Sequence, residues 1–262
     1  MTGLRIRPRC RVVLDNDWAG DPDGLVALAH HLLSPANRVD AVTSTGLHPM
    51  FGSPRPTPAD GAAVARELVD LLDLPVPVHA DDAAAIAAAA AADDDLPLHV
   101  VCGGPLTNVA AAIELDPTAV ERFRLVWVGG TIEDGVEEYN RDTDPEAAAY
   151  VLAQTGLAID QFPLETYRRC GFSVAELEQR IGGAGPVGAF LWRQFEELPL
   201  PAFIELGEVW PLGDSPPVLV TALDDVTSTW TSPAPNRRVF TGVDVRLLLG
   251  DLLAKLERHA GQ

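Results

Sequence analysis

The chain has 262 residues, a length that suits one large α/β domain, and its 47% hydrophobic content is ample for a sizeable core. A net charge of -19, with 19 Lys and Arg that form no long run, argues against a partner held through nucleic-acid phosphates. Cys10, Cys102 and Cys170 lack CxxC spacing, MTGLRIRPRC lacks an apolar signal core, and no stretch is apolar over the length of a membrane span, so the expectation is a cytoplasmic protein with a single domain across residues 1–262 and no membrane partner.

The N-terminal stretch VVLDNDWAGDPDGLVA, residues 12–27, organises the rest. Val12 to Leu14 predict a buried strand, which runs into four carboxylates within nine residues, Asp15, Asp17, Asp21 and Asp23. Like charges crowded at the end of a core strand repel one another unless a cation or a shared proton relieves them, so the pattern points to a hard metal. Asp21 followed by Pro22 is also a good helix start, with Leu25, Leu28, Ala29 and Leu32 at helical spacing behind it, so Asp21 can serve as a cap alone. Asp15 and Asp17 precede that helix and project to one side if the backbone is extended. His30 and His31 fall near its end, where positive charge suits the dipole.

Strand and helix signals then alternate. Val39 to Ser44 predicts a strand leading into Thr45, Gly46, Leu47 and His48 and a Pro-rich loop to Pro58; a helix follows over 62–72 and a short strand over 76–79. Ala83 to Ala92 is alanine except for Ile86, which predicts a surface helix. Leu98 to Cys102 predicts a buried strand, Gly103 and Gly104 a tight turn, and Pro105 the start of a helix carrying Leu106, Val109 and Ile113. Residues 124–130 give another strand ending in glycines, Glu133 to Asn140 an acidic loop, and Asp144-Pro145 a capped helix start. Further on come a strand over 158–164, helices over 175–181 and 189–195, Asp214 at a Gly-Asp-Ser-Pro-Pro turn, a strand over 239–241 and an amphipathic helix from Val243. Trp210 suits either a base-stacking wall or the core. The alternation predicts an α/β fold with a mostly parallel, doubly wound sheet flanked by helices, in which the acidic cluster and the Gly103-Gly104 turn share a crevice beyond the strand ends.

DNDWAGDPDG, GGPLTN, WVGG, EEYNRDTDPEAA and GDSPP occur in the order of the signature segments of the calcium-dependent nucleoside hydrolases, and the closing FTGVDVRLLL resembles that family's last helix. The resemblance implies hydrolysis of the N-glycosidic bond of a ribonucleoside or related ribosyl compound. It makes Asp17 both a calcium ligand and the general base toward water. Gly103 falls where the family offers a backbone carbonyl to calcium, and Asp214 on its C-terminal carboxylate ligand. On the substrate side, Asp15 supports the site from behind, while Glu138 and Asn140 match residues that hold the ribose 5′-hydroxyl. The family commonly forms dimers or tetramers, so a homo-oligomer is allowed.

Four departures accompany the match. An adjacent Asp-Asp pair becomes Asp21, Pro22, Asp23, Gly24, which leaves Asp21 and Asp23 both as candidate ligands. Leu47 and then His48 stand where the family commonly has Asn, making His48 the candidate there. Gly213 stands in place of a His before the C-terminal Asp, and the loop from Gly130 to Asn140 is short. An alternative expectation is therefore an altered relative that binds calcium and a sugar-like ligand without turnover. A phosphatase of the haloacid dehalogenase type also has two Asp after a strand, but it needs a downstream Lys, and the one Lys of this chain is Lys255 in the final helix.

Overall fold

Val12, Val13 and Leu14 are fully or almost fully buried in the first strand, β1 (Cys10–Asn16), because a neighbour lies on either side and a layer covers each face. The computed structural model describes residues 5–20, 22–52, 54–198 and 207–261. The other strands are β2 (Asn37–Ser44), β3 (Val78–Ala80), β4 (Leu98–Cys102), β5 (Phe123–Val128), β6 (Ala158–Phe162), β7 (Gly171–Ser173), β8 (Val209–Pro211), β9 (Thr229–Ala234) and β10 (Arg237–Gly242). Among the described residues, eight of them form one sheet in the order β3-β2-β1-β4-β5-β6-β10-β9, parallel throughout except for β9 against β10; β7 and β8 make a separate antiparallel pair.

Side-chain alternation along the strands divides the core in two. Val12, Leu14, Val101, Val126 and Val128 face one apolar layer with Leu25, Leu68, Phe162 and Leu252. Val13, Val100, Cys102, Leu125 and Trp127 face the other, with Val109, Ile113 and Val151. The helices that supply these layers begin where the sequence places caps. Thr57 and Asp60 form a capping box ahead of Pro58, Asp144 accepts from the Ala147 amide ahead of Pro145, and Asp244 caps the C-terminal helix Val245–Ala260.

Most predicted elements are found, with shifts that have local causes. The alanine-rich helix covers Ala83–Ala91, but Ile86, Ala89 and Ala90 are buried under the sheet, so it is no mere surface helix. The helix after Pro105 begins at Thr107, and β10 is preceded by the unforeseen, exposed strand β9. His30 and His31 are buried, and desolvation lowers the pKa of both, so they do not serve as the predicted cationic partners of a helix dipole; His30 Nε2 lies 2.8 Å from Asp251 Oδ2 of the C-terminal helix. Trp210 is a core residue, edge-on to Phe195 at 5.5 Å. All three cysteines are free and buried. Among the described residues no helix is long and apolar enough to cross a membrane.

Candidate active site at the strand carboxyl ends

The parallel order brings the carboxyl ends of β2, β1, β4 and β5 side by side, and the predicted site residues gather there. β1 delivers Asp15, Asn16 and Asp17 in succession. Asp15 is 1% exposed; its Oδ1 accepts from Thr43 Oγ1 at 2.6 Å and Asn108 Nδ2 at 2.8 Å, and Cys102 Sγ approaches Oδ2 at 3.6 Å. Burial raises its pKa to about 6 against the pull of those donors. Asp15 thus stands behind the crevice rather than in it, tying β1 to β2 and to the helix α4 (Thr107–Leu115).

Asp17, 5% exposed, follows the strand. Its Oδ2 accepts the Tyr139 hydroxyl at 2.9 Å, and its amide donates to Asn16 Oδ1 at 2.8 Å. A Cβ on Gly104 would stand 3.2 Å from Asp17 Oδ1, so a larger residue would push the turn after β4 away from Asp17 by a few tenths of an ångström. The neighbouring Gly103 has a matching purpose. A Cβ there would lie 2.9 Å from Asp214 Oδ2, and one on Gly24 3.1 Å from the same oxygen. Asp214 is therefore cradled between two glycines, its carboxylate fixed by Asn16 Nδ2 at 2.8 Å and its amide donating to Asp23 Oδ2 at 3.0 Å. Asp23 sits on the first turn of the helix Pro22–Leu32. Asp21 lies outside the described residues.

Glu138 and Asn140, expected on a loop, instead open a short helix, α5 (Tyr139–Thr143). Glu138 is its N-cap and is 2% exposed: Gly130, Asn140 and Arg141 amides and the Tyr167 hydroxyl all donate to it, while burial pushes its pKa up. Asn140 Nδ2 donates to Gly103 O at 2.7 Å and to Val128 O at 2.9 Å, joining the ends of β4 and β5. Tyr139, between them, has its ring 5.5 Å from that of His48 and 6.1 Å from that of Phe51, and its oxygen accepts the His48 amide at 3.1 Å. His48 Nδ1 in turn accepts the Met50 amide at 3.0 Å. A depression of about 380 Å³ opens at this point, lined by His48, Met50, Glu137, Glu138, Tyr139 and Asp142. A larger one of about 490 Å³ lies at the amino ends of the strands, among Arg9, His99, Arg124 and Arg238, away from the acidic cluster.

Asn16, Thr43, Asn108 and Tyr139 escaped the sequence reading. Asn16, Thr43 and Asn108 sit within ordinary strand and helix segments, and nothing in the sequence marks their contacts. Tyr139 lay inside a quoted motif, so its position was visible though its contact with Asp17 was not.

The ligands expected from the sequence that fall among the described residues, Asp17, Asp23, Asp214 and the Gly103 carbonyl, offer only oxygen, the donor type a hard cation takes. Asp214 links the set directly, through its amide to Asp23 and through the shared glycine cradle to Gly103. Among the described residues, no three or more His, Cys, Asp or Glu side chains close on a common point at metal-holding distance, and the amides of Asn16 and Asn140 rest on Asp214 Oδ2 and Gly103 O.

Carboxylates gathered over the carboxyl ends of a parallel sheet define a doubly wound α/β enzyme. A family model for inosine-uridine preferring nucleoside hydrolases matches residues 42–246, a span that begins after the acidic turn and includes the Gly103 turn, Glu138 to Asn140 and Asp214. An inosine-guanosine nucleoside hydrolase superposes with a TM-score of 0.75 at 19% identity, over 94% of this chain and 98% of that one. A purine-preferring ribonucleoside hydrolase from Gardnerella vaginalis gives 0.69 at 20% identity, over 95% and 99%. An inosine-uridine preferring nucleoside hydrolase from Bacillus anthracis gives 0.66 at 19% identity, over 95% and 99%. The chain belongs to the inosine-uridine preferring nucleoside hydrolase family, and it is an N-glycoside hydrolase of that type.

Proposed function

We propose that the protein hydrolyses the N-glycosidic bond of a ribonucleoside or related riboside with Asp17 as general base. The observation that carries this reading is the setting of Asp17: a buried carboxylate just past the end of β1, oriented by the Tyr139 hydroxyl and closely approached by Gly104. Water approaching the anomeric carbon loses its proton to Asp17, and the oxocarbenium-like transition state is stabilised by the surrounding carboxylates. Asp17, Asp23, Asp214 and the Gly103 carbonyl are the groups that would hold calcium. When bound, calcium supplies Lewis-acid polarisation of water and an anchor for vicinal sugar hydroxyls. Glu138, Asn140 and His48 line the substrate side, and Asp15 fixes the strand behind it.

Asp17→Asn tests the reading. Turnover of a chromogenic riboside should fall by about a hundredfold or more while circular dichroism is unchanged. Retained turnover sinks the assignment of the base.

A further inference from the structure

We propose that the preferred substrate is a riboside whose aglycone is a planar cation, an N-ribosylated pyridinium, rather than a neutral nucleobase. This rests on the N-glycoside hydrolase reading above and names the substrate class for the same site.

The depression beside Asp17 combines two features that suit a flat, positively charged ring. Its lining includes two rings, His48 and Tyr139, inclined 42° to one another, and Phe51 packs edge-on to Tyr139. Its lining carries the carboxylates of Glu137, Glu138 and Asp142 and, among the described residues, no Lys or Arg. Arg141, next along the chain, offsets Asp142, to which its guanidinium donates at 2.6 Å, so the negative charge of the lining rests on Glu137 and Glu138. In a chain of net charge -19, that field attracts a cation and repels an anion before contact is made.

The same surroundings are poorly equipped to protonate a departing base. His48 Nδ1 is engaged as the acceptor of the Met50 amide at 3.0 Å. The Tyr139 and Tyr167 hydroxyls donate hydrogen bonds to the carboxylates of Asp17 and Glu138. The Arg141 guanidinium beside Asp142 holds that carboxyl below its ordinary range. Gly213 carries no side chain to act as a donor, and an added Cβ would be tight, 3.0 Å from the Tyr167 ring and 3.3 Å from Asp23 Oδ2.

A pyridinium aglycone needs no proton in order to leave. As the bond from the anomeric carbon to the ring nitrogen breaks, its electron pair returns to nitrogen and cancels the positive charge, and a neutral pyridine departs. Water oxygen bonds to the anomeric carbon, and its proton passes to Asp17. The two products are free ribose and the neutral heterocycle.

The test measures kcat/KM in calcium-containing buffer for the riboside of 3-carbamoylpyridinium, uridine and inosine, with the full chain and with Glu137→Gln. The expected result is a preference for the pyridinium riboside of about a hundredfold over both neutral nucleosides, beyond the advantage of the uncatalysed reaction, with Glu137→Gln reducing that preference by several-fold. Equal or faster hydrolysis of uridine or inosine overturns the substrate class and leaves the N-glycoside hydrolase reading intact. A preference that Glu137→Gln leaves unchanged, with the variant folded by circular dichroism, also overturns it. Hydrolysis of none of the three removes both readings.

Discussion

Removing one hydroxyl, in Tyr139→Phe, isolates the contact that orients the proposed base. The phenol donates to Asp17 Oδ2 at 2.9 Å and accepts the His48 amide at 3.1 Å, so it joins β1, the segment after β2 and α5 through a single oxygen. A hydrogen bond to a charged group is worth about 1.5–3 kcal/mol, and if that orients Asp17 in the transition state the loss corresponds to about a tenfold to hundredfold fall in kcat. The ring remains, so its contacts with His48 and Phe51 persist and KM should rise by no more than about threefold. Steady-state kinetics on a chromogenic riboside separate the two parameters, and a melting curve checks the fold. A kcat within about twofold of the parent would refute the orienting role, and a rise in KM alone would move Tyr139 to ground-state binding.

If the oxygen donors hold calcium, chelation lowers the melting temperature and added calcium restores it; an unchanged curve counts against the metal. Asp160 is fully buried and is held by Arg238 at 2.6 and 2.7 Å and by Arg124 at 3.1 Å; both guanidiniums are partly exposed and Arg238 keeps Asp225 at 2.8 Å, so Asp160→Ala should cost about 1–3 kcal/mol in denaturant titrations. A loss below about 1 kcal/mol would show that water reaches the arginines freely. Burial depresses His99 to about 4, below the usual histidine value, so its neutral form stabilises the fold above about pH 6.5 and that contribution is lost as pH falls toward 4. Between about pH 7.5 and about pH 4.5 the parent should therefore lose on the order of 2 kcal/mol more than His99→Gln, and equal losses would contradict this.

The architecture was legible wherever a local pattern and its burial agreed. Leu98 to Cys102 is a strand because it is apolar but for His99 and lies between two others, and Asp144-Pro145 opens a helix because Asp144 caps its first turn and Pro145 needs no amide donor there. The acidic turn and the Gly103-Gly104 turn were visible as chemistry that a core strand does not otherwise tolerate. Contacts between distant residues were not visible. Asn16 reaches Asp214 across 198 positions and Tyr139 reaches Asp17 across 122, and no periodicity encodes either. The exposed strand β9 was missed because its side chains are mostly in solvent, which leaves little apolar alternation to read.

The double donation from Asn140 to the Gly103 and Val128 carbonyls sets the gauge of the crevice. Two neighbouring strands of a twisted sheet tend to splay past their last shared ladder bond, and here one amide group bridges that gap. The floor under a bound sugar is thereby kept at constant width, and adjustment to ligands of different girth is left to the 46–52 segment that carries His48 and Phe51. Exchange of the Asn140 side-chain protons should accordingly be slower than that of backbone amides in that segment, making the floor the last part of the pocket to open.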